Sequence, residues 1–217
     1  MFKFDNVSIQ MRGGYRSLKD LNLEIPEGSF TIVVGGSGAG KSSLINAGAG
    51  LIDCSSGEVI FAGTSIAKMS KPAYESFLQR TAVVRQNPTL LNRMNVYENV
   101  ALPLRLEGKT NREIRGGVLK SLETVGLLHK ELSSVAGLTF GQQQKVNMAR
   151  CLVKNPVAVL ADDPTLNLDV KDAEDIMSSI YELRRRGATV LLAMNSTKIT
   201  KYEDATMLTL WRGEIVR

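Results

Sequence analysis

Apolar and polar residues alternate along the first two runs of the chain, FKFDNVSIQ (2–10) and LKDLNLEIP (18–26). A period of two marks strands with one buried face. Pro26-Glu27-Gly28 supplies a turn after the second run. The next run, FTIVVG (30–35), is apolar at nearly every position, the pattern of a strand buried on both faces. A glycine-rich stretch follows. LINAGAGL (44–51) then suits a helix despite its small residues, and SSGEVIFAG (55–63) suits a strand with turn glycines at Gly57 and Gly63.

After TAVVRQ (81–86) the periodicity changes. Between 112 and 125, apolar residues fall at Ile114, Val118, Leu119, Leu122 and Val125, which makes one face of a helix. We expect a helical insert over about 87–140 within a single domain, 1–217, whose core is about 1–86 and 141–217. A polar helix start, QQQKVNMARCLV, leads into the strand VAVLA. A helix over about 170–186, the strand ATVLLAM, and a final pair, TMLTLW and EIVR, complete the chain. Strand and helix in alternation predict an α/β fold with a parallel sheet under covering helices. The chain shows no tandem repeat and no low-complexity linker.

Composition narrows the classes. At 217 residues with 43% hydrophobic and 23% charged positions, the chain has material for a packed core. A net charge of +5 fits a phosphate-bearing ligand, an anionic membrane surface or nucleic acid, and does not choose among them. Cys54 and Cys151 match no metal-ligand spacing and read as thiols in a reducing cytosol. His129, the one histidine, follows an apolar helical run and reads as a surface position. The start of the chain lacks the apolar core of a secretion signal, and no apolar run approaches bilayer length.

The chemistry concentrates in Gly35-Gly36-Ser37-Gly38-Ala39-Gly40-Lys41-Ser42, with Ser43 behind it. This fits G-x-x-x-x-G-K-[ST] in full, between a buried strand and a helix. Glycines let backbone N–H groups point at phosphates, and the following helix presents its positive end to the same anions. Lys41 supplies a mobile cation for the β- and γ-phosphates, and the Ser42 hydroxyl is a Mg²⁺ ligand. VAVLADD then reads as its partner: a buried strand delivering Asp162 to Mg²⁺, with Asp163 beside it. A phosphate-bearing ligand with Mg²⁺ is expected; the resemblance set out below implies that it is ATP.

In order, the phosphate loop, VVRQNPTLL, GLTFGQQQKVNMARCLVKNP, VLADDPTLNLD and VLLAMNS resemble the ATP-binding subunits of ABC transporters over nearly the whole chain. GGYRSLKDLNL, NVYENVALPL, LADDPTLNLD and LTLWRGEI look like the cell-division ATPases of the FtsE type. Lipoprotein-releasing and macrolide-export ATPases are close relatives of these. The resemblance implies a P-loop NTPase of ABC type: a RecA-like parallel sheet core, an N-terminal antiparallel β subdomain and a helical subdomain insert. It implies that Gln86 reaches Mg²⁺ and the attacking water. Thr139, Phe140, Gly141 and Gln142 then lie in a signature segment that covers the γ-phosphate held by a second subunit, and Asn167, Leu168 and Asp169 in a loop that touches that subunit. It further implies a homodimer on ATP binding and an FtsX-like integral membrane partner met by the helical insert. The place implied is cytoplasmic, on the inner face of the cell membrane, with no nucleic acid partner.

Four positions depart from the family pattern. Asp163 stands where the family has the Glu that polarises the attacking water, one methylene shorter. Asn195 replaces a His, and an amide donates a hydrogen bond but carries no proton. Phe140 replaces a signature Gly. Met11 aligns with the aromatic residue that stacks on adenine, with Tyr15 a candidate substitute. Two readings follow. One is an ATPase motor subunit with Asp163, Gln86, Asn195 and Lys41 as its catalytic set. The other is a nucleotide-binding module with little turnover. DNA-associated ABC ATPases carry a long coiled-coil insert for which this chain has no room.

Overall fold

The structure, a computed structural model, describes residues 1–11, 13–195 and 204–216. Ser196 of VLLAMNS and Arg217 of EIVR lie outside them. The chain divides into two compact units. One comprises Met1–Val83, Val157–Asp163 and Gly187–Arg217, and the other Val84–Pro156 and Pro164–Arg186. The predicted helical insert falls inside the second unit.

In the first unit, β1 (Phe2–Gln10), β2 (Arg16–Ile25), β4 (Ser56–Phe61) and β5 (Thr64–Ser65) form a sheet in the order β2-β1-β4-β5, paired antiparallel throughout. The alternation in β1 is interrupted. Phe2 and Phe4 are buried, and then Val7 and Ile9, so the buried parity changes midway. A one-residue slip would turn the later side chains outward. A register shift between Phe4 and Val7 absorbs it, with Asn6 at φ 49°. Opposite, a Cβ on Gly57 would lie 2.2 Å from the Asn6 carbonyl oxygen, so only glycine fits against the bulge.

The second sheet orders β10-β9-β3-β8-β7-β6. Its strands are β3 (Phe30–Val34), β6 (Thr81–Val84), β7 (Ala158–Asp162), β8 (Thr189–Met194), β9 (Ala205–Trp211) and β10 (Glu214–Val216). β3 pairs parallel with β8 and β9, and β7 parallel with β8. The β9–β10 hairpin adds an antiparallel edge to the expected parallel sheet. Every residue of β3 and β8 is buried, Thr31 and Thr189 included, as their nearly continuous apolar runs lead one to expect. Helix α1 (Lys41–Gly48) packs against strands of both sheets. Its small residues permit that approach: a Cβ on Gly48 would stand 3.2 Å from the Phe4 ring and 3.5 Å from Leu160. Helix α2 (Lys71–Arg80) precedes β6 and is not among the predicted elements, although Tyr74, Phe77 and Leu78 stand at helical spacing behind Ser70 and Pro72.

The second unit is helical: α3 (Val96–Leu106), α4 (Asn111–Thr124), α5 (Phe140–Leu152) and α6 (Val170–Arg185). Reciprocal capping boxes start three of them, Asn95/Glu98, Thr110/Glu113 and Thr139/Gln142. Asp169 caps the fourth. α4 buries Ile114, Val118 and Leu122, the face its sequence predicts. Buried Asn99 of α3 bonds the backbone of Leu91, Met94 and Asn95, and accepts from Arg150 of α5. This network fixes the loop ahead of α3.

Cys151 is buried in α5, and burial pushes its thiol up to about 11. Cys54 is half-buried and is also raised by burial; neither thiol forms a disulfide. His129 lies exposed in a single turn at Leu128–Lys130. Among the described residues no helix is long and apolar enough to cross a membrane.

Phe4 is fully buried at the centre of the first unit's core, whereas Leu132 is 75% exposed. We expect Phe4→Ala to lower unfolding free energy by about 3–5 kcal/mol. Leu132→Ala should change it by less than about 0.5 kcal/mol. Urea denaturation of the two variants checks the contrast.

Candidate functional site

The segment from Gly35 to Gly40 joins β3 to α1 and is gripped from several strands. Gly35 N–H donates to the Met194 carbonyl at the end of β8 (3.3 Å), and Gly213 N–H donates to the Ala39 carbonyl (2.9 Å). A Cβ on Gly35 would sit 2.5 Å from the Leu210 carbonyl oxygen of β9. On Gly40, which has φ 110°, it would sit 2.2 Å from the Ser17 carbonyl oxygen of β2. Both glycines are demanded by close backbone approach. Gly40 is the N-cap of α1. No side chain caps that end, and no acidic residue lies in the first turn. The helix therefore offers its first N–H groups and positive end to an anion.

Lys41 opens α1 and is only 7% exposed. Its Nζ donates to the carbonyls of Gly35 (2.8 Å) and Gly36 (2.8 Å) and to Asn195 Oδ1 (2.7 Å). Asn195 Nδ2 in turn donates to Asp163 Oδ2 (2.6 Å). A neutral amide thus stands between the ammonium and the carboxylate, accepting from one and donating to the other. The sheet brings these residues together. Gly35 leaves β3, Asp163 leaves β7 and Asn195 leaves β8, all at the same edge, and Asp162 pairs with Ala193 in register. Burial holds the Lys41 ammonium below its usual range, against the pull of Asp163 and Asp162. Burial likewise pushes the Asp163 carboxyl up, with Lys41 opposing and Asp162 adding to it. Asp163 has φ 41°, a left-handed backbone that Asp tolerates better than most side chains.

Ser42 is exposed and Asp162 half-buried. Hydroxyl and carboxylate oxygens form the hard donor set that suits Mg²⁺. Among the described residues no group of three or more His, Cys, Asp or Glu could hold a metal by itself.

Tyr15 and Met11 are linked by a backbone hydrogen bond, Met11 N–H to Tyr15 carbonyl (2.8 Å). The Tyr15 hydroxyl donates to the Gly38 carbonyl (3.0 Å), and 55% of the residue remains exposed. The structure thus brings Tyr15 onto the glycine loop. Met11 is 49% exposed.

The second unit carries the remaining predicted residues. Gln86 is half-buried just after β6. Thr139 and Gln142 satisfy each other: Gln142 N–H donates to Thr139 Oγ1, and Thr139 N–H to Gln142 Oε1, both at 3.2 Å. Phe140 is the first residue of α5 and half-buried. It has no positive φ, so the backbone there does not require glycine. Gly141 does. A Cβ would meet the Asp172 carboxylate of α6 at 1.8 Å. Asn167 has φ 62°, and the Asp169 carboxylate accepts from Asp172 N–H (2.8 Å).

The sequence reading missed Lys145 and Gln144. Lys145 is 12% exposed and paired with Asp172 (2.6 Å) and Asp175 (2.7 Å). Gln144 is fully buried. Its signal was present: it falls three residues after Gly141 and four before Met148, so a polar side chain stands on the buried stripe of α5.

A buried parallel strand, a glycine loop and an uncapped helix opening with lysine make this a P-loop nucleotide-binding protein. Comparison with known proteins narrows the class. The family described as ABC transporter matches residues 18–166. The cell division ATP-binding protein FtsE of Escherichia coli strain K12 is 34% identical over 215 residues, 99% of this chain and 97% of that protein. FtsE of Haemophilus influenzae is 36% identical over 98% of each. Among solved structures, the dimeric ATP-binding cassette MJ0796 bound to ADP and Pi superposes with a TM-score of 0.90. It is 30% identical over 100% of this chain and 97% of its own.

The chain belongs to the ABC transporter ATP-binding family. It is an FtsE-like ABC ATPase subunit with the ABC ATPase fold, and ATP is its ligand. These findings lend no support to a binding module that barely turns over.

Gly141→Ala forces the Asp172 carboxylate aside. We expect it to destabilise the protein by about 1–3 kcal/mol. Adding Asp172→Ala should recover part of that loss, a coupling of at least about 0.5 kcal/mol. A double-mutant cycle by urea unfolding measures it.

Proposed function

We propose that two copies of this chain close around two ATP molecules and hydrolyse them, and that the stroke acts on an integral membrane partner. The observation that carries this reading is the continuous hydrogen-bonded line from the loop carbonyls through Lys41 and Asn195 to Asp163. It sets a cation for phosphate and a carboxylate for water at one sheet edge.

ATP lays its β- and γ-phosphates against the N–H groups of residues 35–43, with Lys41 as counter-charge. Tyr15, with Met11 beside it, forms the apolar platform for the adenine. Ser42 and Asp162 would hold Mg²⁺, with Gln86 added by the family resemblance, and the ion would supply positive charge to the phosphates. Asp163 takes a proton from the attacking water as its oxygen bonds to the γ-phosphorus and the bond to the bridging oxygen breaks. The Asn195 amide orients that carboxylate and offers a donor to the γ-phosphate. Thr139, Phe140, Gly141 and Gln142 of one copy cover the γ-phosphate in the other, and Asn167, Leu168 and Asp169 touch it.

The dimeric MJ0796 cassette supports the pairing, and the FtsE relatives support a cell-division role. The helical segment of about 87–140 docks on a membrane protein of the FtsX kind. This makes the chain a peripheral protein on the cytoplasmic face of the cell membrane.

Single-turnover ATP hydrolysis with Mg²⁺ tests the reading. The parent should release phosphate well above Lys41→Ala. Asp163→Asn should fall by about a hundredfold or more while still binding ATP. Chelating the divalent metal should bring the parent down to the Lys41→Ala level. A parent no faster than Lys41→Ala, with ATP binding demonstrated, sinks the proposal.

A further inference from the structure

We infer that Gln144 is a positioning residue that ties the signature helix α5 to both loops bearing the water-handling side chains, Gln86 and Asp163. The inference rests on the reading above.

Gln144 has no exposed surface. Its amide nitrogen carries two hydrogens, and both are used: one goes to the Arg85 carbonyl (2.8 Å), the other to the Pro164 carbonyl (3.0 Å). Its own oxygen accepts from Asn147 Nδ2 (3.4 Å). The two carbonyls are not arbitrary. Arg85 is the residue immediately before Gln86, and Pro164 the residue immediately after Asp163. Both lie just past strand ends, β6 closing at Val84 and β7 at Asp162; the last sheet bond on the β7 side is Asp163 N–H to the Ala193 carbonyl (2.8 Å), so Pro164 is the first residue beyond the ladder. One nitrogen atom thus joins the two loops to each other and to α5.

The next residue extends the clamp. Lys145 pairs with Asp172 and Asp175 of α6. Asp172 N–H is bonded to the Asp169 carboxylate, so the segment 167–169 is tied to the same turn of α5. A displacement of the signature helix therefore carries with it the anchors of all three segments.

Glutamine is the side chain this junction needs. It supplies two donors from one neutral atom, whereas a carboxylate of the same shape supplies none and repels both carbonyls. Asparagine has one methylene less reach. A buried glutamine kept for packing alone would affect stability only. A junction would also set the rate of the chemical step and leave ATP affinity intact, because Gln144 makes no hydrogen bond to the glycine loop.

The test uses the full-length chain with Gln144→Met, an unbranched side chain of similar length without donors, and Gln144→Glu as the second variant. Amide hydrogen exchange is followed in peptides covering 84–90 and 164–169. ATP affinity and single-turnover rate are measured well below each variant's melting temperature. We expect faster exchange in both peptides together and a rate at least about tenfold lower. ATP affinity should stay within about threefold, and the loss of rate should be much smaller when Gln86→Ala is already present.

Exchange unchanged in either peptide, a rate within about twofold of the parent, or ATP affinity falling in step with the rate each overturn the inference. If Gln144→Glu fails to fold, Gln144→Met alone decides. A parent no faster than Lys41→Ala defeats the proposed function instead. The exchange measurement, which needs no turnover, then judges the junction by itself.

Discussion

A buried ammonium group must be given acceptors, and the candidate site is organised around giving three of them to Lys41. Two are carbonyls of its own loop and the third is the Asn195 amide. Taking that charge out of water is costly, and the lowered basicity of Lys41 reflects the cost. The cost is met by neutral dipoles in direct contact and by two carboxylates at longer range, Asp163 and Asp162. A phosphate group would add the charge that those dipoles lack. The arrangement holds a cation with all three donors engaged beside the start of an uncapped helix, so a phosphate would have to replace one of these acceptors.

The rest of the first unit serves that arrangement through close backbone approach. The loop can stay where it is only because Gly35 and Gly40 have no Cβ to strike Leu210 and Ser17. These contacts come from β9 and β2, one strand from each sheet. The antiparallel sheet is therefore part of the phosphate site as well as a cover for the core. Helix α1 bridges the two sheets with Leu44 and Ile45, both buried, and with small residues where the sheets come nearest.

In the second unit the same economy of space appears at the signature helix. The replacement of a family glycine by Phe140 falls on the first helical residue, where the backbone is ordinary. The retained glycine, Gly141, is the one whose Cβ would strike a neighbouring carboxylate. What fills its space is an acidic side chain of α6 already engaged by Lys145. The backbone does not require glycine at Phe140, whereas a side chain at Gly141 must displace the Asp172 carboxylate, for reasons internal to the chain.

The sequence alone determined the main strands, a helical stretch after β6, the phosphate loop and the family, because each rests on local periodicity or on a motif of contiguous residues; that α5 and α6 cluster with that stretch was not legible. β3, β8 and α4 were legible for that reason, as was the place of Lys41 at the start of α1. Tertiary structure decided what depends on residues far apart in sequence. Period-two reading could not show that β1 changes parity at Asn6, since the bulge answers to Gly57 across the sheet. Sequence placed Asn195 and Asp163 as departures from a pattern; only the parallel register of β7 and β8 makes them one hydrogen-bonded pair. Gln144 looked like one more polar residue in a glutamine run. Its two amide hydrogens acquire meaning only when the chain brings the carbonyls of Arg85 and Pro164 to the same point, across separations of 59 and 20 residues.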